Sequence, residues 1–256
     1  MKWTMLMCIV PFLSVTVGAE IITKEVTYTL NNINFKGFLA YDNAVKGKRP
    51  GVLVAHEWWG LNDFTKTQVK DLAGMGYSAF AVDMYGEGKK TIDPKIAAKM
   101  AGEVRGTPLM RERIQAGLKA LLSQEAVDPQ RIAAIGFCFG GTAVLELAYS
   151  GAAIKGVVTL HGGLFSPKPE DLGNIKAKLL VLHGADDPTM PQETISRFQE
   201  SMRKSGADWQ MVYFGNTIHS FTNPASGNDN SKGVAYNALS AERAFKYMKM
   251  FLKEIL

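Results

Sequence analysis

A cysteine set among glycines, in the run Gly136-Phe137-Cys138-Phe139-Gly140-Gly141, is the position in this chain best placed to act as a nucleophile. An apolar stretch, 131–135, precedes it, and a helix-like stretch, 142–149, follows. That is the strand, sharp turn and helix of a nucleophile elbow, with Cys where Ser usually stands. Glycine two positions before and after the nucleophile suits a strained turn, where a side chain would strike the neighbouring strand and helix. Such a turn lifts the sulfur above a sheet and close to a helix N-terminus, where the backbone dipole favours thiolate over thiol. The alternative is an inert, buried cysteine in a Gly-rich turn.

Downstream residues argue for chemistry. The run Leu179-Leu180-Val181-Leu182-His183-Gly184-Ala185-Asp186-Asp187-Pro188 reads as a strand that opens into a loop with two carboxylates. His219 follows another strand-like stretch, 209–214. Nucleophile, acid and histidine thus come in the chain order of α/β-hydrolases. A Cys–His pair makes the thiolate, and the acid orients the imidazole. On the residues alone Asp186 and Asp187 compete for the third role, and either would serve equally as a turn-stabilising or capping residue.

At these positions the chain resembles the dienelactone hydrolase family, a branch of the α/β-hydrolase fold. The resemblance runs over nearly all of the chain after its N-terminal segment. It is carried by the Cys138 elbow, by Gly184-Ala185-Asp186-Asp187-Pro188-Thr189-Met190-Pro191, and by His219-Ser220-Phe221. The family's Gly-x-x-Asp spacing selects Asp187. The segment Ala55-His56-Glu57-Trp58-Trp59-Gly60 is also similar to the family's. The resemblance implies that Glu57 contacts the resting cysteine and takes part in switching the thiol on. It implies too that the amides of Trp58 and Phe139 form an oxyanion hole, two fixed donors aimed at developing charge. The implied activity is that of a carboxylic ester hydrolase acting on a small ester or lactone, with no cofactor.

The chain departs from the family in one respect. Dienelactone-specific members hold the substrate carboxylate with an Arg shortly after an Asp-x-Tyr element and with a second Arg after His-Ser-Phe. This sequence has Asp83-Met84-Tyr85-Gly86-Glu87-Gly88 and Thr222-Asn223-Pro224 there, so no cation clamp is evident. Trp58, Trp59, Tyr85 and Phe139 suggest an apolar or aromatic acyl pocket. Trp59, Tyr85 and His161 are the candidate substrate-binding residues, and His183 is expected to satisfy a buried hydrogen bond. No HExxH or closely spaced histidine pair points to a metal.

The elements that must position these residues follow from patterning. Residues 25–30 and 34–41 alternate around Asn31-Asn32, as in an antiparallel hairpin. Residues 51–56, 77–82, 131–135, 155–160 and 178–182 are short apolar runs of the kind found in buried parallel strands. Helical stretches at 62–75, 108–124, 191–205 and 234–252, and one that opens at Asp93-Pro94, alternate with them. The expected architecture is α/β: a mostly parallel sheet covered on both faces, with an antiparallel N-terminal edge. Catalytic loops in such a sheet gather at the strands' carboxyl ends.

Met1-Lys2, an apolar stretch over 6–17 and the small residues Val17-Gly18-Ala19 read as a signal peptide for secretion or periplasmic export, cut after Ala19. The apolar stretch falls short of the ~20 residues of a spanning helix, so no stable membrane anchor is expected. Cutting 19 residues from 256 leaves 237, enough for a single domain, 20–256. It also removes Cys8 and leaves Cys138 as the one cysteine, unable to form an internal disulfide. The net charge of +5 is dispersed, which argues against nucleic acid as a partner. Monomer and homodimer both remain open. Two rival functions also stay open. One is a non-catalytic small-molecule-binding protein on a hydrolase scaffold. The other is a thiol redox protein, which would lack a CxxC or resolving cysteine.

Overall fold

The computed structural model describes residues 20–256, and the signal-peptide expectation for 1–19 lies outside them. Two strands, β1 (Ile21–Leu30) and β2 (Ile33–Asp42), form the leading hairpin. Asn31 and Asn32 turn it with φ of 49° and 61°. Two positive φ values in a two-residue loop match the twist of the flanking strands, and Asn tolerates them. The remaining strands are β3 (Arg49–Ala55), β4 (Ser78–Val82), β5 (Val127–Phe137), β6 (Gly156–Leu160), β7 (Lys178–Gly184) and β8 (Trp209–Phe214). They join one eight-stranded sheet in the order β1-β2-β4-β3-β5-β6-β7-β8. The pairs β1–β2 and β2–β4 are antiparallel, and every pair from β4 onward is parallel.

Six helices cover the sheet: α1 (Asp63–Gly74), α2 (Pro94–Val104), α3 (Pro108–Leu122), α4 (Phe139–Tyr149), α5 (Gln192–Ser205) and α6 (Ala238–Ile255). Their starts carry local signals. Asn62 accepts from the Thr65 amide, and Asp93 accepts from Lys95 and Ile96 ahead of a Pro at the first helical turn. Residues Val52 and Val54 of β3 pack with α1 and α6 on one face, and Leu53 and Ala55 pack with α2, α3, α4 and α5 on the other. This period-2 division explains why the parallel strands read as continuous apolar runs.

The structure differs from expectation near the C-terminus. The last helix begins at Ala238, not 234. Val234 instead forms a bridge with His219, the Ala235 amide donates to the His219 carbonyl, and Asn237 caps α6 by accepting from Ser240. Residues 234–237 are therefore spent strapping the histidine loop. Short 3-10 turns at Pro169–Asn174, Pro224–Ser226 and Asn230–Lys232 also lie outside the sequence expectation. No helix among the described residues is long and apolar enough to cross a membrane.

Candidate active site

The loops after six strands, β3 to β8, converge on one cleft. The elbow joins β5 to α4, and Cys138 sits at its apex with φ 52° and ψ −115°. That is a sparsely populated backbone conformation for a residue with a Cβ. Its neighbours must be glycine because of close approach. A Cβ on Gly136 would lie 2.0 Å from the Gly140 carbonyl oxygen, and one on Gly140 would lie 2.2 Å from that of Ala55. Helix α4 is buried almost all round, so the elbow stands on a rigid central element.

His219, after β8, places Nε2 3.1 Å from Cys138 Sγ. Its Nδ1 lies 2.8 Å from Asp187 Oδ2. Asp187 is buried after β7 and meets the imidazole, whereas Asp186 is exposed. The other Asp187 oxygen, Oδ1, accepts from the Thr189 amide at 2.8 Å and from the Thr189 hydroxyl at 2.6 Å. Thr189 was not among the sequence candidates, although an Asp followed two residues later by Thr is a recognisable side-chain turn. Burial pushes His219 down, but the Cys138 sulfur and the Asp187 carboxylate outweigh it and raise the imidazole to about 10. Burial would raise Asp187, yet the His219 and Thr189 hydrogen bonds bring it below its usual value.

The loop after β3 forms the facing wall. His56 is buried, and its Nε2 accepts the Met84 amide at 3.1 Å. Its Nδ1 must then carry the proton, which it donates to the Glu57 carbonyl. Burial keeps His56 below its usual pKa, in line with a neutral ring. Asp83 accepts from the amides of Lys36, Tyr85, Gly86 and Gly88. It thereby fixes Tyr85, whose hydroxyl donates to the Trp58 carbonyl at 2.8 Å. The Asp-x-Tyr element braces the Trp58 loop. Phe139 is the first residue of α4, and a helix's first amides have no acceptor within the helix.

Several candidates sit elsewhere than the sequence suggested. Trp59 lines the cleft, but Tyr85 and His161 are buried behind its wall. Glu57 is buried with both oxygens taken, Oε1 by the Ser220 hydroxyl and Oε2 by the Asn223 amide. Burial raises its pKa, and these two donors oppose that. The carboxylate thus grips the loop after His219, and Cys138 is paired with the imidazole. Ser220 belongs to the His219-Ser220-Phe221 motif and Asn223 to the segment that follows it, but the sequence ties neither to Glu57. His183 does not satisfy the expected hydrogen bond: its buried Nδ1 has no protein partner among the described residues, and its ring packs edge-on against Tyr213.

The cleft measures about 1120 Å³. Trp58, Trp59, Ile92, Phe139, Phe165 and Met190 give it an apolar lining, as the aromatic content around the elbow suggested. Lys90 and Arg105 also line it. The Arg105 guanidinium stands 5.8 Å from the Phe139 ring centre. Arg105 comes from the C-terminal end of α2, whereas Lys90 follows the Asp-x-Tyr element by five residues. Among the described residues no group of three His, Cys, Asp or Glu side chains could hold a metal ion.

The strand order, the elbow after β5 and the acid and histidine after β7 and β8 define an α/β-hydrolase. A family model described as the dienelactone hydrolase family matches residues 35–256, and the chain belongs to that family. A crystal structure of a dienelactone hydrolase-like promiscuous phosphotriesterase from metagenomic libraries is 39% identical, with a TM-score of 0.88 over 93% of this chain and 99% of that one. A putative carboxymethylenebutenolidase of Saccharolobus solfataricus is 25% identical, covering 91% of this chain and 98% of its own. A putative dienelactone hydrolase from Klebsiella pneumoniae shares the fold at 22% identity, with a TM-score of 0.78 over 91% of this chain and 99% of that one.

Proposed function

We propose that the protein hydrolyses ester or lactone bonds of a small substrate through a Cys138–His219–Asp187 triad and an acyl-thioester on Cys138. The observation that carries this reading is the unbroken line from Cys138 Sγ to His219 Nε2 at 3.1 Å and from His219 Nδ1 to Asp187 Oδ2 at 2.8 Å. The sulfur attacks the carbonyl carbon, and the Phe139 and Trp58 amides hold the oxyanion. The carbon–oxygen bond to the leaving alcohol breaks as His219 Nε2 gives that oxygen its proton. His219 then takes a proton from water, whose oxygen attacks the thioester. Collapse releases the acid and returns the thiolate–imidazolium pair. Asp187 fixes the imidazole tautomer throughout. The family resemblance implies a part for Glu57 in switching the thiol on, and to play it the carboxylate must leave Ser220 and Asn223.

The test is hydrolysis of p-nitrophenyl acetate, a dienelactone and an aryl phosphotriester by the protein beside Cys138→Ala. The phosphotriester is included because the 39% identical relative carries that activity in its description. Turnover in the wild type that falls at least about 10³-fold in a folded variant is expected. Undiminished turnover in Cys138→Ala overturns the mechanism. Ligand binding that survives the substitution, with no turnover of any ester, favours a binding protein on this scaffold.

A further inference from the structure

His161 has a place in the site that its sequence position did not suggest. It follows β6 with a φ of 42°, the left-handed region that a residue with a Cβ enters only at a cost. Its imidazole is wholly buried. Both ring nitrogens are engaged. Nδ1 accepts the Cys138 backbone N–H at 3.1 Å, so Nε2 carries the proton and donates it to Thr222 Oγ1 at 2.7 Å. The Cys138 amide already has an acceptor in the Leu160 carbonyl at 3.0 Å. The bond to His161 is thus not needed merely to satisfy that amide. One ring spans the two segments whose separation matters: the elbow that carries Cys138 and the loop that carries His219, three residues before Thr222. The same ring meets the His219 ring edge-on, with centres 5.3 Å apart at 70°.

We propose that His161, with its tautomer fixed by Thr222, is a positioning residue that sets the spacing and alignment of Cys138 and His219. The inference rests on the triad reading. A buried polar group on strained backbone costs stability, and a rigid link between nucleophile and base is a return of the kind such strain commonly accompanies. The ring stays neutral in this role. Burial and the neighbouring His219 both hold His161 well below the usual histidine value, so its single proton remains on Nε2. Phe221 packs edge-on against the ring at 5.3 Å and limits its rotation.

The experiment uses Thr222→Val, Thr222→Ser and His161→Phe. It reads kcat and KM on p-nitrophenyl acetate, thermal melting, and the rate of Cys138 alkylation by iodoacetamide at pH 6. Thr222→Val removes the acceptor at nearly constant volume. It is expected to lower kcat and the alkylation rate about five- to tenfold with KM within about twofold. Thr222→Ser keeps the hydroxyl and restores most of both rates. His161→Phe is expected to lose about a hundredfold, the scale of a misplacement of about 1 Å. Variants that melt earlier but keep wild-type kcat and alkylation reduce His161 to a structural residue and overturn the proposal. Failure of the triad reading looks different: wild-type Cys138 would then alkylate at pH 6 no faster than a free thiol.

Discussion

His219 gathers the electrostatics of the site into one proton. With the imidazole raised to about 10 by Cys138 and Asp187, the acid needed by the leaving alcohol is present throughout the neutral range. The sign for activity follows. As pH rises through about 10 the proton is lost, and esters with poorly leaving alkyl alcohols should slow. An aryl ester, whose phenolate leaves unaided, should slow less over the same interval. Initial rates for ethyl and p-nitrophenyl esters between pH 7 and 11 test this, and parallel profiles would count against His219 as the acid. Asp187→Asn should lower kcat by about 10²- to 10⁴-fold, because the amide favours the wrong tautomer. Glu57 makes a prediction of the other sign. Burial raises it, so the folded state holds its proton more tightly than the unfolded chain. Stability from that proton is present at low pH and lost as pH rises through the raised value. Glu57→Gln should therefore gain in melting temperature relative to wild type as pH rises from 5 to 8. A constant difference across that range would contradict the assignment. The sequence exposed Cys138, the pair Asp186 and Asp187, and His219 because each follows a strand in a fixed chain order, and the family's Gly-x-x-Asp spacing singled out Asp187. It hid Ser220, Asn223 and Thr222, because hydroxyl and amide side chains in a loop show their partners only once the chain has folded.

At the scale of elements, helix α2 brings the site's unexpected feature. Asp93-Pro94 marks the helix's start, but linear pattern says neither where it ends nor where that end points. Arg105, its C-cap residue, opens onto the cleft beside Phe139. A guanidinium on an apolar cleft wall is suited to an anionic group on the substrate. Arg105→Gln should raise KM for an ester bearing a free carboxylate about tenfold and leave a neutral ester within about twofold. The size is that of one charge-assisted hydrogen bond at a partly hydrated site. Equal effects on both esters would show that Arg105 only packs. The elbow gives the converse case, in which local sequence said nearly everything. Its glycines stand where a Cβ would meet carbonyl oxygens at 2.0 and 2.2 Å, and those collisions are implicit in the Gly spacing around Cys138. The start of α6 was misread for a comparable reason to α2's end: Val234 is apolar and in helical phase, but its bridge to His219 is a tertiary contact.

Across the whole molecule, the alternation of strands and helices was enough to specify a sheet with two covered faces, because each buried strand feeds two separate apolar layers. The Asn43 amide donates to the Glu20 carbonyl at 3.0 Å, and β1 begins at Ile21. The expectation of export rests on the sequence alone, on Met1-Lys2, the apolar stretch over 6–17 and the small residues Val17-Gly18-Ala19. We propose that the protein is exported and that its mature form begins at Glu20. The full sequence holds two cysteines, Cys8 and Cys138, and cleavage would carry one away with the leader. Protein recovered from the periplasm or medium should therefore show a single titratable thiol per chain in denaturant, and an N-terminus at Glu20 by sequencing. That thiol should also be the one whose alkylation stops hydrolysis, since Cys138 is the free cysteine among the described residues and faces the cleft. Two thiols and an intact Met1 would mean that the leader is retained.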